Sequence, residues 1–229
     1  MTATRSPHPP GTTARGSARA ALLLGVAATG AIWLSGCRAE SPEARAADLR
    51  ARETGYRGIL LPEPPPRPEF TLTDTRGRPF DFVAETDDDL TLLFFGYTYC
   101  PDVCPVHMAS LGAVLADFPY ALRSRIEVVF VTTDPERDTP ERLRSWLDNF
   151  DPGFIGLRGP MEEVNRIQVA LGLPAAVRQE TDDGVLIGHA SQVIAFAPHD
   201  RVRVLYPFGT RQADWRHDLP RLVEAGGAP

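Results

Sequence analysis

The sequence has no lysine at all: its 24 basic residues are every one arginine, a bias that speaks of codon usage more than of function. It has only 3 cysteines, at positions 37, 100 and 104, too few for the disulfide framework that staples small secreted domains. Its leader lacks the length and continuity of a comfortable membrane span: the uncharged stretch Ala20–Gly36 covers 17 residues and is interrupted by Gly25 and Gly30, whereas a spanning helix needs about 20. Basic clusters are missing too. Beyond residue 36 the chain carries 30 acidic residues against 21 arginines, which excludes the electrostatic footprint of a nucleic-acid binder. No basic amphipathic helix asks for an anionic membrane surface. The 229 residues, 43% hydrophobic and 24% charged, suffice for one well-packed domain and a targeting segment.

The first 36 residues hold Arg5, Arg15 and Arg19 and no acid, followed by an apolar segment around Leu22–Leu24 and Ile32–Leu34. This is the pattern of a secretory signal. It closes on Leu34-Ser35-Gly36-Cys37, which resembles the lipobox of bacterial lipoproteins, and that resemblance implies cleavage before Cys37 and lipid attachment to it. The rival is a single N-terminal spanning anchor with Cys37 unmodified. Either arrangement puts the domain on the extracytoplasmic face of the cell membrane. Residues 37–68, rich in Ala and Arg and then in Pro, read as a tether ending in a polyproline-type spacer. The domain itself reads as 69–229.

Within it, one stretch organises the rest. An apolar strand, Leu90 to Tyr97, runs into Thr98-Tyr99-Cys100-Pro101-Asp102-Val103-Cys104-Pro105. A run without a polar face predicts a strand covered on both sides. From Pro105 to about Phe118 the spacing of Met108, Leu111, Leu115 and Phe118 is helical, and Cys104 extends that stripe backwards. The cysteines therefore fall where a strand ends and a helix begins. Backbone N–H groups and the helix dipole favour thiolate there. Two thiolates one turn apart can chelate a single ion such as Cu(I) or zinc or close a disulfide, and their spacing does not choose between these. It differs from the two-residue spacing of a thioredoxin redox pair.

Other elements follow from pattern. Phe70–Thr73 and Pro79–Phe82 predict a hairpin; Ile126–Thr133 a second apolar strand; Leu143, Trp146, Leu147 and Phe150 the inward face of a helix capped by Asp138 or Thr139. Phe154–Leu157 reads as a short strand and Pro160–Leu171 as a helix. Gln192–Ala197 and Arg201–Tyr206 predict a second hairpin, with Arg201 and Arg203 on a wet face, and 211–224 a closing helix. Together these give an α/β domain of three layers with a mixed sheet.

The run from Phe95 to Pro105, the run Thr133-Asp134-Pro135-Glu136-Arg137-Asp138-Thr139-Pro140, and the step Gly188-His189-Ala190-Ser191 before a hairpin occur here in one order. Together they resemble the Sco/SenC family, and the likeness covers about residues 69–224. The resemblance implies a thioredoxin-like fold with an added N-terminal hairpin. It implies copper, as Cu(I) and Cu(II), held by Cys100, Cys104 and His189, and delivery to a copper-accepting cytochrome c oxidase subunit whose binuclear centre is being assembled. A thioredoxin-like reductant would keep the thiols reduced. One departure stands out: where the family often has small hydroxylated residues after the second Cys-Pro, this chain has Val106-His107-Met108. Helical spacing makes His107 a rival nitrogen ligand, although replacing it is expected to do little; Met108 belongs to the core stripe, and Asp134 at a strand end serves helix entry. Two other function classes remain open: a thiol–disulfide oxidoreductase that reduces the oxidase's own cysteines through Cys100 and Cys104, and a redox or copper sensor.

Overall fold

A strand with apolar side chains on both faces is stable only between two layers, and Leu90–Gly96 is buried at every position. The computed structural model describes residues 41–62, 66–181, 184–200 and 203–225; the leader, Cys37 and the turn at Asp182-Asp183 lie outside them. In chain order the elements are α1 (Pro42–Thr54), β1 (Ile59–Leu60), β2 (Thr71–Asp74), β3 (Pro79–Asp81), α2 (Phe82–Thr86), β4 (Leu90–Gly96), α3 (Val103–Ala116), α4 (Tyr120–Arg123), β5 (Ile126–Thr132), α5 (Pro140–Leu147), β6 (Ile155–Arg158), α6 (Met161–Ala170), β7 (Val177–Thr181), β8 (Gly184–Gly188), β9 (Val193–Phe196), β10 (Arg203–Tyr206) and α7 (Gln212–Ala225).

Eight strands make one mixed sheet in the order β1-β10-β9-β4-β5-β6-β2-β3, and β7 pairs with β8 apart from it. β4, β5 and β6 run parallel, so each step between them needs a crossover, supplied first by α3 and α4 and then by α5. Side chains of β4 alternate between the two layers. Leu90, Leu92 and Phe94 join α3, α5 and α7; Leu93 and Phe95 join α2, α6 and the β2–β3 hairpin. Met108, Leu111 and Leu115 are buried along α3, as their spacing predicts. Thr139 rather than Asp138 caps α5, its side chain accepting from Arg142 N–H. Among the described residues no helix is long and apolar enough to cross a membrane.

Three sequence expectations are corrected. The first concerns the segment read as a tether. Within it, α1 buries Ala44 and Ala47, and β1 pairs with β10. The Arg57 and Gly58 N–H groups donate to the fully buried Asp218 at 2.8–2.9 Å. Gly58 permits that approach, since a Cβ there would lie 2.3 Å from Val204 Cγ1. Two alanines make no visible apolar stripe and a two-residue strand has no period, so the pattern hid both elements. Second, Arg203 is not on a wet face. It is 2% exposed, stacks 4.1 Å over the Phe196 ring and pairs with Asp200 at 3.0 Å. Arg67 covers the same ring and donates to Asp200 and Thr86. Third, the pattern assigns no element between the Pro160–Leu171 helix and Gln192, where β7 and β8 form a hairpin; its outward residues, Val177 and Leu186 among them, blur the alternation.

Candidate metal centre

β4 delivers the chain to Tyr97, and the next turn is held from below by one buried carboxylate. Asp138 is fully buried. It accepts from the Thr98 N–H at 3.0 Å, the Thr98 hydroxyl at 2.6 Å and the Thr132 hydroxyl at 2.6 Å. The Thr98 hydroxyl in turn accepts from Arg142 Nε at 3.0 Å. The ends of β4 and β5 and the entry to α5 are thus tied to the turn that leads to Cys100. Tyr99, exposed on that turn, lies under the Arg142 guanidinium at 4.2 Å.

Cys100 is half-buried and Cys104, in the first turn of α3, is fully buried; both are free thiols. The Cys104 N–H points to Cys100 Sγ at 3.5 Å. Room for Cys104 comes from Gly96, where a Cβ would stand 2.7 Å from its sulfur. The hydrogen bond from the Cys104 thiol, reinforced by His189 and by the N–H groups of Cys104 and Asp102, outweighs partial burial and holds Cys100 down to about 3. Burial, and then the neighbouring Cys100, push Cys104 the other way. The pair is thus asymmetric, Cys100 being driven towards thiolate and Cys104 towards thiol.

His189 follows β8 and reaches the same spot from a distant part of the sequence. Its Nδ1 donates to the Ala190 carbonyl at 2.7 Å, because an oxygen there can only accept. Nε2 is the ring nitrogen that faces the sulfurs, 3.6 Å from Cys104 Sγ. With Nδ1 bonded in this way, Nε2 is the nitrogen placed to serve as a metal ligand. The ring stands edge-on between Phe94 and Tyr97, 6.0 and 5.6 Å away. The ligand atoms of Cys100, Cys104 and His189 all lie within 4.8 Å of one another. Cys100 and His189 line a cleft of about 330 Å³ together with Ile187 of β8, while Cys104 is fully buried.

The other candidates go elsewhere. His107 is 3% exposed, and its Nε2–H donates to the Ser191 carbonyl at 2.9 Å. The spacing that made it a rival ligand is sound, but its ring turns to Phe94 instead. Burial pushes its pKa down. Asp134 is buried and pairs with Arg137 and Arg178. His199 lies with Asp87 and Asp88 in an exposed group remote in sequence from the cysteine turn. Sequence reasoning missed the part played by Asp138 and Thr98. The fixed order of the Thr133–Pro140 run was the available signal, since a cap needs only one of its acids.

A thioredoxin-like α/β sheet bearing two thiols at a strand-to-helix turn and an imidazole brought in from afar defines the class: a thioredoxin-fold protein with a dithiol–imidazole centre. The chain belongs to the SCO1/SenC family, whose model matches residues 62–224. A Stutzerimonas stutzeri protein named for copper binding is 35% identical over 145 residues, 63% of this chain and 71% of that one. Protein SenC of Rhodobacter capsulatus is 31% identical over 53% of this chain, which spans only 59% of that protein's length. Among solved structures, apo Sco1 of Thermus thermophilus is similar with a TM-score of 0.64 and 30% identity, over 73% of this chain and 97% of the other. Copper-bound ScoI of Bradyrhizobium japonicum gives 0.59 and 29%, over 68% and 98%.

Proposed function

We propose that this protein is a membrane-tethered, extracytoplasmic copper metallochaperone that serves assembly of the binuclear copper centre of cytochrome c oxidase, with Cys100, Cys104 and His189 as its ligands. The observation that carries the reading is the meeting of two sulfurs and one imidazole nitrogen within 4.8 Å. Two soft donors suit Cu(I), and the borderline nitrogen lets the same site accept Cu(II). The copper-bound Bradyrhizobium relative supports the choice of metal; the family resemblance supports the oxidase as destination, and the leader reading supports the location. Cys100 is the more open sulfur, so an incoming thiolate would displace it first and copper would pass by ligand exchange. In an oxidising compartment the thiols need a thioredoxin-like reductant.

The asymmetry of the two cysteines favours a second reading, a thiol–disulfide oxidoreductase. The Cys100 thiolate would attack a partner disulfide, releasing one partner sulfur as thiol. Cys104 would then give up its proton and displace the other, leaving a reduced partner and a Cys100–Cys104 disulfide. Anaerobic copper titration of the chain without its leader separates the two. The chaperone reading expects one copper per chain, loss of tight binding in Cys100→Ser and in Cys104→Ser, and a His189→Ala variant that still forms its disulfide but loses Cu(II) most severely. Full oxidase assembly with copper-free His189→Ala would hand the function to the reductase.

A further inference from the structure

We infer that His107 is a positioning residue, clamping the segment that carries His189 onto helix α3; the inference rests on the metal-site reading above. Residues 189–192 lie between β8 and β9 and belong to no strand. Their place is therefore set by local contacts. Ala190 is buried in the α6 layer, and the His189 ring leans on Phe94 and Tyr97. Besides the His189–Cys104 approach, the hydrogen bond from His107 Nε2–H to the Ser191 carbonyl is a polar tie between this segment and α3.

The tie joins the two halves of the site. His107 sits three residues after Cys104 on the same helix, and Ser191 two residues after His189. Whatever fixes Ser191 to α3 also fixes the imidazole opposite the Cys104 sulfur. The His107 ring is itself held by Phe94 at 5.1 Å and capped by the exposed Phe208 at 5.7 Å. Phe94 thus touches both histidines and sets their spacing from one strand. A donor long enough to cross from helix to loop, carried on a ring that packs against that strand, is what position 107 needs.

The expected consequence is a loosened nitrogen ligand with the thiols left in place. His107→Phe keeps an aromatic ring, slightly larger, and removes the donor; His107→Gln restores an N–H of similar reach. In the metal-free chain, amide hydrogen exchange at residues 189–192 should quicken about tenfold in His107→Phe while the α3 amides keep their protection. His107→Phe should still take up one copper through the thiols, with Cu(II) affinity lower by about 10-fold or more, as for other lost supports of a ligating imidazole. His107→Gln should recover most of both properties. If His107→Phe does not fold, His107→Asn, too short to reach the carbonyl, takes its place. Unchanged exchange at 189–192, or a Gln variant no better than Phe, overturns the inference. The exchange measurement involves no copper, so it decides the clamp even if the wild-type chain binds none and the metal reading itself falls.

Discussion

Removing the carboxylate of Asp138 should be strongly destabilising although it lies outside the hydrophobic core. It receives three buried donors: the Thr98 N–H, the Thr98 hydroxyl and the Thr132 hydroxyl. Asp138→Ala leaves all three without their acceptor, at about 1–3 kcal/mol each. Such losses are not additive and single substitutions seldom exceed about 5 kcal/mol, so about 4 kcal/mol is the expectation. For a domain of this size that lowers the melting temperature by roughly 8–16 °C. Asp138→Asn keeps the shape and one acceptor but turns an amide towards a donor, and about 2 kcal/mol is expected. Thr98 is two residues from Cys100, so the Asn variant should also slow alkylation of the Cys100 thiolate at acidic pH. Thermal melts of the reduced protein and iodoacetamide kinetics read the two effects. An Asp138→Ala protein melting within about 3 °C of wild type would refute the bracket. Destabilised variants with unchanged alkylation would confine it to folding.

Gly96→Ala should lower stability by about 1–3 kcal/mol through overpacking and weaken copper binding, because the new methyl meets the Cys104 sulfur at 2.7 Å and the Phe94 ring at 2.8 Å; wild-type copper affinity in a folded variant would count against it. Glu127 on β5 is raised to about 7, by burial first and then by Asp89 and Glu85. Its folded pKa lies above its unfolded one, so the native state holds the proton more tightly and stability falls as pH rises from about 4.5 through 7. Glu127→Gln should therefore flatten that fall and gain about 1–2 kcal/mol at pH 8, after allowance for solvent screening, with no gain at pH 4; denaturant midpoints that track wild type across this range would refute it. Cys37→Ser should accumulate unprocessed precursor without lipid label. Normal maturation with retained membrane attachment would favour a plain spanning anchor.

What could be read from the sequence was whatever repeats or is bulky. β4, β5 and α3 are long enough for their apolar spacing to declare both type and facing, and the cysteine turn was legible as the junction between two such patterns. The partner histidine was not. Nothing local sets His189 apart from a histidine at any strand end, because the sheet that brings it to α3 is a long-range fact; only the likeness to a family singled it out. Arg203 misled because alternation reports polarity, and a guanidinium stacked on Phe196 and paired with Asp200 satisfies its charge inside. Asp138 stood beside Thr139 as a candidate cap because sequence shows that an acid precedes a helix and not which donors lie behind it.

The docking of α1 and β1 changes how far this domain can wander. A free chain from Cys37 to residue 68 would be a leash of some thirty residues, able to stretch to roughly 100 Å and to average about 30 Å end to end. With Pro42 already held in α1, Cys37 lies only five positions before it in the sequence, a reach of at most about 18 Å. If Cys37 is the point of attachment, the domain explores a thin shell along the bilayer instead of a deep volume above it. Partners embedded in the same membrane are then met by lateral drift at high effective concentration, and soluble ones must come down to the surface to be served.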